Sequence, residues 1–252
     1  MCFVSFIPTK TGYLLGSNRD EHILREPAQP PLLEMLKGSQ KNILAPADGK
    51  AGGTWIAARE DGWSIVLLNG AFETHLAKPP YRHSRGLIIP QLMRQEIPPV
   101  AWEDFPLQQI EPFTLIMTNG KELWEMRRDE DRSYQRALDC RIAHCWSSAT
   151  LYNPEQQQIR EDWFMNWLDA TKIPNTRNLR DFHQSHPGPE TYSIILKREN
   201  GIETVSTTLV ECCGHHLNML HADYRSDKET QHPLSITVKN SKQEIGTKEQ
   251  LV

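Results

Sequence analysis

The fold of this chain is decided by residues 1–21, MCFVSFIPTKTGYLLGSNRDE. Two apolar runs, at 3–7 and 13–15, flank a turn-like stretch at 8–12 that contains proline and glycine. Short apolar runs on either side of such a turn predict a β-hairpin. The second strand of this hairpin leads directly into a run of polar residues at 17–21.

The predicted hairpin brings four chemically different side chains together. If the turn is centred near Lys10, the numbers of paired residues add up to about 20. This register puts Cys2 opposite Asn18, with Arg19 and Asp20 beside them. A thiol, an amide, a guanidinium and a carboxylate are thus predicted to meet at one end of the hairpin.

Cys2 has the chemistry of an N-terminal nucleophile. Methionine aminopeptidases remove Met1 when the next side chain is small, and cysteine qualifies. Removal leaves an α-amine on the carbon that bears the thiol. The amine titrates at about 8 and the thiol at about 8.5, so the amine can accept the thiol proton. The alternative is that Cys2 is a small packing residue in the first strand, because free cysteines are usually inert.

The polar residues after the second strand fit the same chemistry. Asp20 can hold the amine, Arg19 can lower the pKa of the thiol, and Asn18 can donate a hydrogen bond to an oxyanion. The alternative is a charged turn that closes a strand, which is the ordinary use of such residues. Their predicted position opposite Cys2 makes them candidate catalytic residues.

Three further hairpins are predicted from apolar runs around turn dipeptides. The turns are Asp61-Gly62, Asn119-Gly120 and Asn200-Gly201, and such pairs are typical of tight hairpins. The flanking runs are 51–57 with 63–68, 113–117 with 122–127, and 191–197 with 202–210. A separate strand is predicted at 141–146.

Two helices are predicted. Ser84 can cap a helix over 86–94, which Pro90 should kink or shorten. Asn153, a cap residue followed by proline, predicts the start of an amphipathic helix. The proline-rich stretch 25–46 is expected to be an extended loop, with room for one short ordered piece at Leu32–Leu36.

These elements predict an α+β protein with mainly antiparallel sheets and a single domain over 1–220. Residues 221–252 are predicted to be a polar C-terminal extension. Within this extension, Leu234, Ile236 and Val238 alternate with polar residues and can add an edge strand before a mobile tail.

Composition excludes several classes of partner. The chain has 252 residues, 38% of them hydrophobic, and a net charge of −4. It shows no basic stripe and no apolar run near the roughly 20 residues of a membrane span, so neither nucleic-acid binding nor a transmembrane segment is expected. Its five cysteines, an odd number in a chain without signal-peptide features, predict free thiols. A cytoplasmic location is expected.

Four segments together resemble the NRDE family, also called the transport and Golgi organisation protein 2 family. The segments are Ser17–Glu21 after Met-Cys, Ala51–Ile56, Ser84–Gly86 and Trp146–Tyr152. They occur in the family's order over most of the chain. The resemblance implies an N-terminal-nucleophile hydrolase fold, a four-layer αββα sandwich related to choloylglycine hydrolases and penicillin acylases.

The resemblance also implies roles for individual residues. In the related enzymes the cysteine after Met is the nucleophile, and an arginine and an aspartate follow at the end of the second strand. Asp20 fits the aspartate position, whereas Arg19 lies two positions beyond the arginine of those amidases. Asn69, at a strand end, is predicted to stabilise the oxyanion, with a turn pair as the alternative. The predicted substrate-binding residues are Glu21, Trp55, Arg85 and Ser148.

A second cluster of possible ligands lies near the C-terminus. Cys212-Cys213-Gly214-His215-His216, with His221 nearby, can in principle ligate a metal or haem. Their spacing fits no standard zinc pattern, so neither a metal site nor a cofactor is predicted.

Two functions from different classes are consistent with these observations. In the first, the protein is a cysteine amidohydrolase or acyl transferase that acts on a small amide or thioester. In the second, it is a non-catalytic binding or trafficking protein for haem, lipid or acyl-coenzyme A, with Arg19 or Arg85 as the anchor for an apolar acid. The third interpretation is an inert structural domain.

Overall fold

The computed structural model describes residues 3–236, and these contain thirteen strands. In chain order the strands are β1 Phe3–Thr9, β2 Gly12–His22, β3 Gln29–Met35, β4 Asn42–Ala47, β5 Ile56–Arg59, β6 Ser64–Asn69, β7 Phe113–Thr118, β8 Leu123–Arg128, β9 Ser133–Leu138, β10 His144–Ser147, β11 Ile202–Cys213, β12 His216–Asp223 and β13 Lys228–Ser235.

The helices of the described part are few and mostly short. They are a 3-10 turn at Arg85–Leu87, α1 Ile88–Met93, α2 Pro98–Ala101, α3 Pro154–Ala170 and α4 Thr176–His183. None of these helices combines the length and the apolar character that a membrane crossing needs.

The strands form two antiparallel sheets. A six-stranded sheet has the order β10-β1-β2-β11-β12-β13, and a seven-stranded sheet has the order β3-β4-β5-β6-β7-β8-β9. Neighbouring strands pair in the antiparallel sense throughout. The first hairpin lies in the middle of the six-stranded sheet, so the end of β2 is covered on both sides. The predicted α+β class with antiparallel sheets is confirmed.

The layers follow the predicted αββα order. The larger apolar core lies where the two sheets face each other, with Val4 and Leu15 among its members. A second apolar core joins the outer face of the six-stranded sheet to α3 and α4 through Phe3, Phe164 and Phe182. On the other side, α1 contacts β5 and β6. The four-layer sandwich is therefore confirmed.

The register of the first hairpin differs from the prediction by one residue. Thr9 pairs with Gly12, so the turn contains only two residues, and the paired numbers add up to 21. Phe3, not Cys2, consequently lies opposite Asn18. Cys2 itself lies outside the described residues. The error arose because the turn was centred on Lys10 within the stretch 8–12, whereas Pro8 is the penultimate residue of β1 and the turn is Lys10-Thr11.

Most of the stretch 25–46 is strand, so the prediction of a loop is wrong, although the short ordered piece at Leu32–Leu36 overlaps β3. This stretch contains β3 and most of β4, which pair with each other at one edge of the seven-stranded sheet. Pro30 and Pro31 lie in the edge strand β3, where a missing backbone N–H leaves no partner unsatisfied. Proline content alone therefore concealed a strand whose position at the sheet edge tolerates it.

Two of the three later hairpins are confirmed, and one is wrong. The Asp61-Gly62 turn joins β5 to β6, and the Asn119-Gly120 turn joins β7 to β8. Before Asn200-Gly201, however, the run 191–197 forms only an isolated bridge between Lys197 and Glu203. β11 pairs instead with β2 along one edge and with β12 along the other.

The predicted helix starts are both present. Ser84 caps the 3-10 turn before α1, and α1 ends at Met93 after six residues. Asn153 caps α3 through a capping box with Gln156. α4, which no pattern predicted, begins with a second capping box at Asn175. The strand predicted at 141–146 is β10.

The predicted domain boundary at residue 220 falls within a strand. β12 spans His216–Asp223 and pairs with both β11 and β13, so the described part of 221–252 belongs to the six-stranded sheet. β13 is the last strand of that sheet and includes Leu234. Val238 and the predicted mobile tail lie outside the described residues.

Candidate active site

The polar residues at the end of β2 divide between the two faces of the strand. Side chains alternate along a strand. Asn18 and Asp20 face the helix layer, where Asn18 bonds to α4. Arg19 faces the second sheet, where its guanidinium lies 4.7 Å from the ring centroid of Trp55. The structure therefore places on opposite faces of β2 the side chains that were predicted to meet at one end of the hairpin.

Asn18 is fully engaged in the protein interior. Its amide nitrogen donates hydrogen bonds of 2.9 Å to the backbone carbonyls of both His183 and Ile194. Its amide oxygen accepts a 2.8 Å hydrogen bond from the Thr207 hydroxyl. Because both amide protons are used, the prediction that Asn18 donates to an oxyanion is wrong. Asn18 instead holds the helix layer against β2.

A buried chain of serine, histidine and asparagine passes behind the end of β2. The Ser5 hydroxyl lies 2.7 Å from Nε2 of His183, and Nδ1 of His183 lies 2.9 Å from Oδ1 of Asn18. Because the amide oxygen only accepts, Nδ1 carries the proton and Nε2 accepts from Ser5. Burial, with a contribution from Arg160, lowers the pKa of His183 to about 3.

This chain resembles a hydrolytic triad in its atoms but not in its surroundings. Ser5, Asn18 and His183 are all completely buried, so a substrate has no access to the serine hydroxyl. The three residues bind α4 to β1 and β2. No motif marked His183 in the sequence, because its partners lie more than 160 positions away.

Asp20 is held by two hydroxyl groups from distant parts of the chain. Its Oδ1 accepts a 2.5 Å hydrogen bond from Thr204, and its Oδ2 accepts a 3.2 Å hydrogen bond from Tyr152. The register of β2 and β11 shifts between Thr204 and Ser206, next to Asp20. A bulge of this kind re-aims side chains and is common beside active sites. Asp20 therefore has a fixed direction, as a positioning carboxylate requires.

Arg19 forms its contacts between the two sheets. Its guanidinium donates a 2.7 Å hydrogen bond to Asp48 and lies 3.6 Å from Glu21. Only 4% of Arg19 is exposed, and this burial lowers its pKa, although the charges of Glu21 and Asp48 act in the opposite direction. Trp55 covers the guanidinium face. Glu21 and Trp55, predicted as substrate-binding residues, thus surround Arg19.

Asp48 joins Arg19 to a second arginine that the sequence analysis missed. Arg25 binds the Asp48 carboxylate through two hydrogen bonds, of 2.9 and 3.0 Å. The backbone N–H of Ala51 donates a third, of 2.8 Å. Burial alone would raise the pKa of Asp48, but the bonds from Arg25 and Ala51 and the charges of both arginines hold it below its usual range.

Arg85 is paired at the same end of the sandwich. Its guanidinium lies 3.1 Å from the Glu111 carboxylate and donates a 3.1 Å hydrogen bond to the carbonyl of Pro112. Burial lowers its pKa, and the charges of Glu111 and Glu21 oppose this shift. The side chain is 18% exposed, so part of the guanidinium remains accessible.

Two of the motif segments meet through their glycines. A Cβ atom on Gly53 would lie 2.6 Å from the carbonyl carbon of Gly86, which is closer than any side chain permits. The N–H of Thr54 donates a 3.0 Å hydrogen bond to the Gly86 carbonyl. The glycine-glycine-threonine-tryptophan segment and the segment around Arg85 therefore pack backbone against backbone, and this contact sets the distance between Trp55 and Arg85.

Asn69 and Ser148 lie where the two sheets approach each other. The Ser148 hydroxyl donates a 2.9 Å hydrogen bond to the Asn69 carbonyl and lies 2.9 Å from the Thr150 hydroxyl. Ser148 is completely buried, so the prediction that it contacts substrate is wrong; it positions the end of β6. Asn69 lies on the same face of its sheet as Trp55, by the alternation from Leu67, which bonds to Trp55. Within residues 3–236, its side-chain amide has no hydrogen-bond partner.

The remaining cysteines differ in exposure. Cys212 is buried, Cys140 and Cys145 are half-buried, and Cys213 is exposed. Burial raises the pKa of Cys212 to about 11 and that of Cys145 still further. All four are free thiols. The predicted nucleophile Cys2 lies outside the described residues, and its role stays a prediction.

The cysteine and histidine cluster forms a hairpin turn. Cys213 pairs with His216 around Gly214 and His215, and Gly214 has a φ of 58°. Cys212 points into the core while Cys213 is exposed, so the neighbouring thiols diverge. Among the residues that the structure describes, no set of histidine, cysteine and acidic side chains is arranged as a metal site.

A large cavity lies at the opposite end of the sandwich. It has a volume of about 1090 Å³ and is lined by the hairpin tips, including Lys10, Lys41 and Lys121. None of its lining residues belongs to the groups around Asp20 or Arg19. We therefore place the candidate site by its chemistry and not by cavity size.

The fold is shared with solved hydrolase structures. An N-acylethanolamine-hydrolyzing acid amidase ortholog from Caenorhabditis elegans superimposes with a TM-score of 0.58 at 11% identity, over 82% of this chain and 92% of that chain. Two variants of conjugated bile acid hydrolase from Clostridium perfringens give TM-scores of 0.52 and 0.51 at 8% identity, each over 92% of both chains. At such low identity the likeness concerns the fold alone.

The sequence comparisons give the family. No curated protein matches this sequence significantly. The family profile described as Transport and Golgi organisation 2 matches residues 1–252, which is the whole chain. The resemblance drawn from the four sequence segments is thereby confirmed, and the chain belongs to the Transport and Golgi organisation 2 family.

Proposed function

We propose that this protein is an amidohydrolase or acyl transferase that acts on a small amide or thioester through Cys2. The observation that carries the proposal is the position of Phe3, which starts β1 in the middle of the six-stranded sheet and lies opposite Asn18. Cys2 is bonded to Phe3, so their Cα atoms are about 3.8 Å apart. The proposed nucleophile is thus the chain neighbour of a residue that pairs with the polar segment of β2.

The fold supports this reaction class. The Caenorhabditis elegans neighbour is an amidase, and one of the bacterial structures is a variant in which alanine replaces a cysteine at position 2. That hydrolase therefore carries cysteine at the same distance from the start of its chain. An N-terminal cysteine in this fold supplies the thiol and, once Met1 is removed, the amine.

The proposed reaction has two steps. The α-amine of Cys2 accepts the thiol proton, and the thiolate sulfur attacks the carbonyl carbon of the substrate. The side-chain amide of Asn69, which has no partner among residues 3–236, donates to the resulting oxyanion. The C–N or C–S bond then breaks, and the leaving group takes the proton from the ammonium. Water, or an acceptor nucleophile, attacks the thioester and restores the thiol.

Asp20 is proposed to orient the amine of Cys2. Its carboxylate is fixed by Thr204 and Tyr152 on the face that also carries the Phe3 side chain. A carboxylate near the amine favours the ammonium, which is the form that protonates the leaving group. Arg19 is bound to Asp48 on the other face of β2. It is proposed to stabilise this end of the sheet on the side where the substrate binds.

An apolar acyl group is the proposed substrate class. β2 ends at His22 and is followed by Ile23 and Leu24, which are 47% and 84% exposed. Exposed apolar side chains next to a polar site suit a substrate with an apolar acyl chain and a small amine or thiol. The Caenorhabditis elegans neighbour hydrolyses N-acylethanolamine and the bacterial neighbour conjugated bile acid, and both substrates have this form.

The test begins with the mature N-terminus. Intact mass should show that Met1 is absent. At pH 6, iodoacetamide should label Cys2 at least ten times faster than the exposed Cys213, which serves as the internal reference thiol. Cys2→Ala should abolish turnover of a panel of N-acyl amides and acyl thioesters, whereas Cys213→Ser should not change it. Retention of Met1, or equal labelling of the two thiols, would refute the mechanism.

A binding or trafficking role is the second candidate. Arg25 and Arg85, which are 31% and 18% exposed, bring two partly accessible guanidinium groups to the same end of the molecule as the exposed Leu24. This combination suits an apolar acid or an acyl-coenzyme A, and haem propionates have the same charge. Native mass spectrometry after mild purification tests it. A co-purified ligand, together with failure of Arg85→Gln to retain it and an inert Cys2, would favour this role.

A further inference from the structure

The cavity at the end of the sandwich opposite to the candidate site has no part in the proposed function. Its wall is formed by five hairpin turns, those that join β1 to β2, β3 to β4, β5 to β6, β7 to β8 and β11 to β12, and by the residues after α1. Its volume of about 1090 Å³ is at the upper end of the range of roughly 300–1,000 Å³ that is usual for small-molecule sites. This turn cavity therefore has room for a ligand of the size of a nucleotide.

Hydrogen bonds fix the turns of the wall relative to one another. The N–H of Gly214 donates a 2.9 Å hydrogen bond to the carbonyl of Thr11, which joins two turns of the six-stranded sheet. The buried Tyr13 reaches from this sheet to the other one, where its hydroxyl donates a 3.0 Å hydrogen bond to the carbonyl of Gly62. Gly120 packs on the same ring, and a Cβ atom added to it would lie 3.0 Å from Cδ1 of Tyr13. The wall is thus one connected structure.

The segment after α1 is held in this wall by a buried arginine. The guanidinium of Arg59, which is completely buried, donates hydrogen bonds to the backbone carbonyls on both sides of Arg94, those of Met93, Gln95 and Glu96. The ammonium group of Lys41 adds a 3.0 Å hydrogen bond to the Gln95 carbonyl. The exposed side chain of Arg94 therefore extends from a fixed backbone.

Positive charge predominates in the turn cavity. Its lining contains four cationic side chains, those of Lys10, Lys41, Arg94 and Lys121, and three carboxylates. Lys41 is already paired, because its Nζ lies 2.8 Å from the Glu96 carboxylate. Lys10, Arg94 and Lys121 are exposed, and none of them has an ion-pair partner within residues 3–236. In a chain with a net charge of −4, these three cations are a local excess.

The other two carboxylates of the lining are also engaged. Asp61 accepts a 2.7 Å hydrogen bond from Nε of the buried Arg59. Glu60 accepts hydrogen bonds from the backbone N–H and the side-chain amide of Asn42, at 3.2 and 2.7 Å. In the part of the chain that the structure describes, no acidic, histidine and cysteine side chains are grouped to hold a metal ion. The chemistry of the turn cavity thus suits an anion and not a cation.

We propose that the turn cavity binds a small molecule that carries a di- or triphosphate group, which is a function separate from the proposed catalysis. The three unpaired cations come from three layers of the fold: Lys10 from the six-stranded sheet, Lys121 from the seven-stranded sheet and Arg94 from the helix layer. They surround a ligand from different sides, so a multivalent anion meets all three, whereas a single carboxylate does not. Arginine and lysine are the usual phosphate-binding side chains. Cys212 and Ile236 give the lining an apolar part for the organic portion of the ligand.

The test is calorimetric titration of the full-length protein with ATP, pyrophosphate and adenosine, in EDTA to exclude metal complexes. ATP and pyrophosphate should bind, whereas adenosine, which has no phosphate, should not. An increase in ionic strength from about 0.05 to about 0.2 M should weaken ATP binding several-fold, because salt screens exposed charges.

A triple variant removes the three unpaired charges. The substitutions Lys10→Gln, Arg94→Gln and Lys121→Gln together should raise the dissociation constant of ATP about tenfold or more. The matched control also replaces two lysines and one arginine at exposed positions, but outside the cavity: Lys172→Gln, Arg177→Gln and Lys228→Gln. It should change the constant by less than about twofold. Thermal unfolding checks that both variants are folded.

A pair of single substitutions tests the charge without removing any cation. Gln40 is an exposed residue of the β3–β4 turn that lines the cavity. Gln40→Glu should weaken ATP binding and Gln40→Lys should strengthen it, because the first adds a negative and the second a positive charge. These variants give an answer even if the triple variant does not fold.

Four results would overturn the proposal. They are a lack of ATP and pyrophosphate binding at about 1 mM ligand, adenosine binding as tight as that of ATP, a triple variant that is weakened no more than its control, and equal affinities of the two Gln40 variants. Each result concerns binding alone. Neither turnover nor the labelling of Cys2 enters the measurement, so the proposed function and the phosphate site can fail separately.

Discussion

The hydroxyl of Ser148 donates a 2.9 Å hydrogen bond to the backbone carbonyl of Asn69. This single bond joins the segment after β10, in one sheet, to the last residue of β6, in the other. Both residues were predicted from the sequence in separate roles, Asn69 as the oxyanion donor and Ser148 as a substrate-binding residue. Their relationship shows that one of them holds the other in place.

Removal of this bond should loosen the end of β6. Ser148→Ala leaves a buried carbonyl without its donor, so we expect the free energy of unfolding to fall by about 1–2 kcal/mol. Urea denaturation measures this change. Ser133→Ala, at an exposed position of β9, is the control and should be nearly neutral. Equal effects of the two substitutions would show that the bond contributes nothing to stability.

Gly70 should tolerate no side chain. Its φ is +79°, and an added Cβ would lie 2.9 Å from Cγ2 of Thr150 and 3.3 Å from Cβ of Ala149. Gly70→Ala should therefore destabilise the protein by about 1–3 kcal/mol through backbone strain and contact. Thermal and urea unfolding report the loss.

A second substitution separates the two causes at Gly70. Thr150→Ser removes the Cγ2 methyl but keeps the hydroxyl that lies 2.9 Å from Ser148. In the Gly70→Ala background it should recover part of the loss, because it relieves the contact but not the strained φ. Full recovery would show that backbone strain is absent, and no recovery that the contact is harmless.

Asp48 should be important for stability above acidic pH. Asp48→Asn removes the carboxylate that the buried Arg19 and the half-buried Arg25 share and leaves only Glu21 beside them, at 3.6 and 3.3 Å, so we expect a loss on the order of 2–3 kcal/mol. The folded-state pKa of Asp48 lies below its usual value. Its contribution is therefore present above about pH 4, the pKa of the unfolded carboxyl, and is lost as the pH falls through the folded pKa.

The measurement is the free energy of unfolding of wild type and Asp48→Asn at several pH values. Their difference should be constant at neutral pH and should shrink below about pH 4. Asp227→Asn, in an exposed turn, is the control. A difference that does not change with pH would show that the charge of Asp48 is not what stabilises the cluster.

His183 should give the protein an acid-sensitive step at milder pH. Its folded pKa is about 3, against about 6.5 when unfolded. Between these values the unfolded state binds a proton that the folded state does not. The free energy of unfolding should thus be constant above about pH 6.5 and fall by at most about 1.4 kcal/mol per pH unit below it.

His183→Gln removes this titration and should flatten the slope between pH 6.5 and 5, although the variant is less stable overall. His186→Gln, at an exposed position of the same region, should keep the wild-type slope. The buried His221, whose pKa burial lowers to about 4, contributes a slope of its own. An unchanged slope in His183→Gln would show that His183 is not buried as a neutral base.

The features that local sequence determines were predictable. Asp61-Gly62 and Asn119-Gly120 form turns with positive φ at each glycine, of 92° and 82°, which is why dipeptides of this kind indicate a hairpin. Asn153 forms a capping box, because its partner Gln156 lies only three residues away. Such elements need no information from the rest of the chain.

The pairing of distant strands was not predictable in the same way. Gly201 forms its turn, with a φ of 81°, yet β11 pairs with β2 and β12 instead of with 191–197. β3 and β4 were missed because their prolines indicate a loop unless the strand is known to lie at an edge. The register of the first hairpin was predicted wrongly by one residue, because its turn is one residue shorter than the composition indicated.

The candidate site shows the same difference between local features, which were predictable, and distant contacts, which were not. Asn18, Arg19 and Asp20 were found because the first hairpin was predicted to place them near Cys2. Asn69 was found because it ends a strand, as the oxyanion asparagine of the related hydrolases does. Their partners were not found, because His183, Asp48 and Tyr152 reach them only through the fold. Whether a polar group is free or already hydrogen-bonded depends on those partners, and these hydrogen bonds argue against Asn18 as the oxyanion donor and Ser148 as a substrate-binding residue.

Because side chains alternate along β2, this strand separates two groups of interactions that contribute to stability independently. Arg19 and Asp20 are covalent neighbours, but one shares its contacts with Asp48 between the sheets and the other with Tyr152 under the helices. In a double-mutant cycle their effects should add, whereas those of Asp20 and Tyr152, which are 132 positions apart, should be coupled. The effects of adjacent substitutions at Arg19 and Asp20 are therefore independent of each other. A substitution that compensates for a change at Asp20 is expected at a residue that is distant in sequence but in contact with it, such as Tyr152.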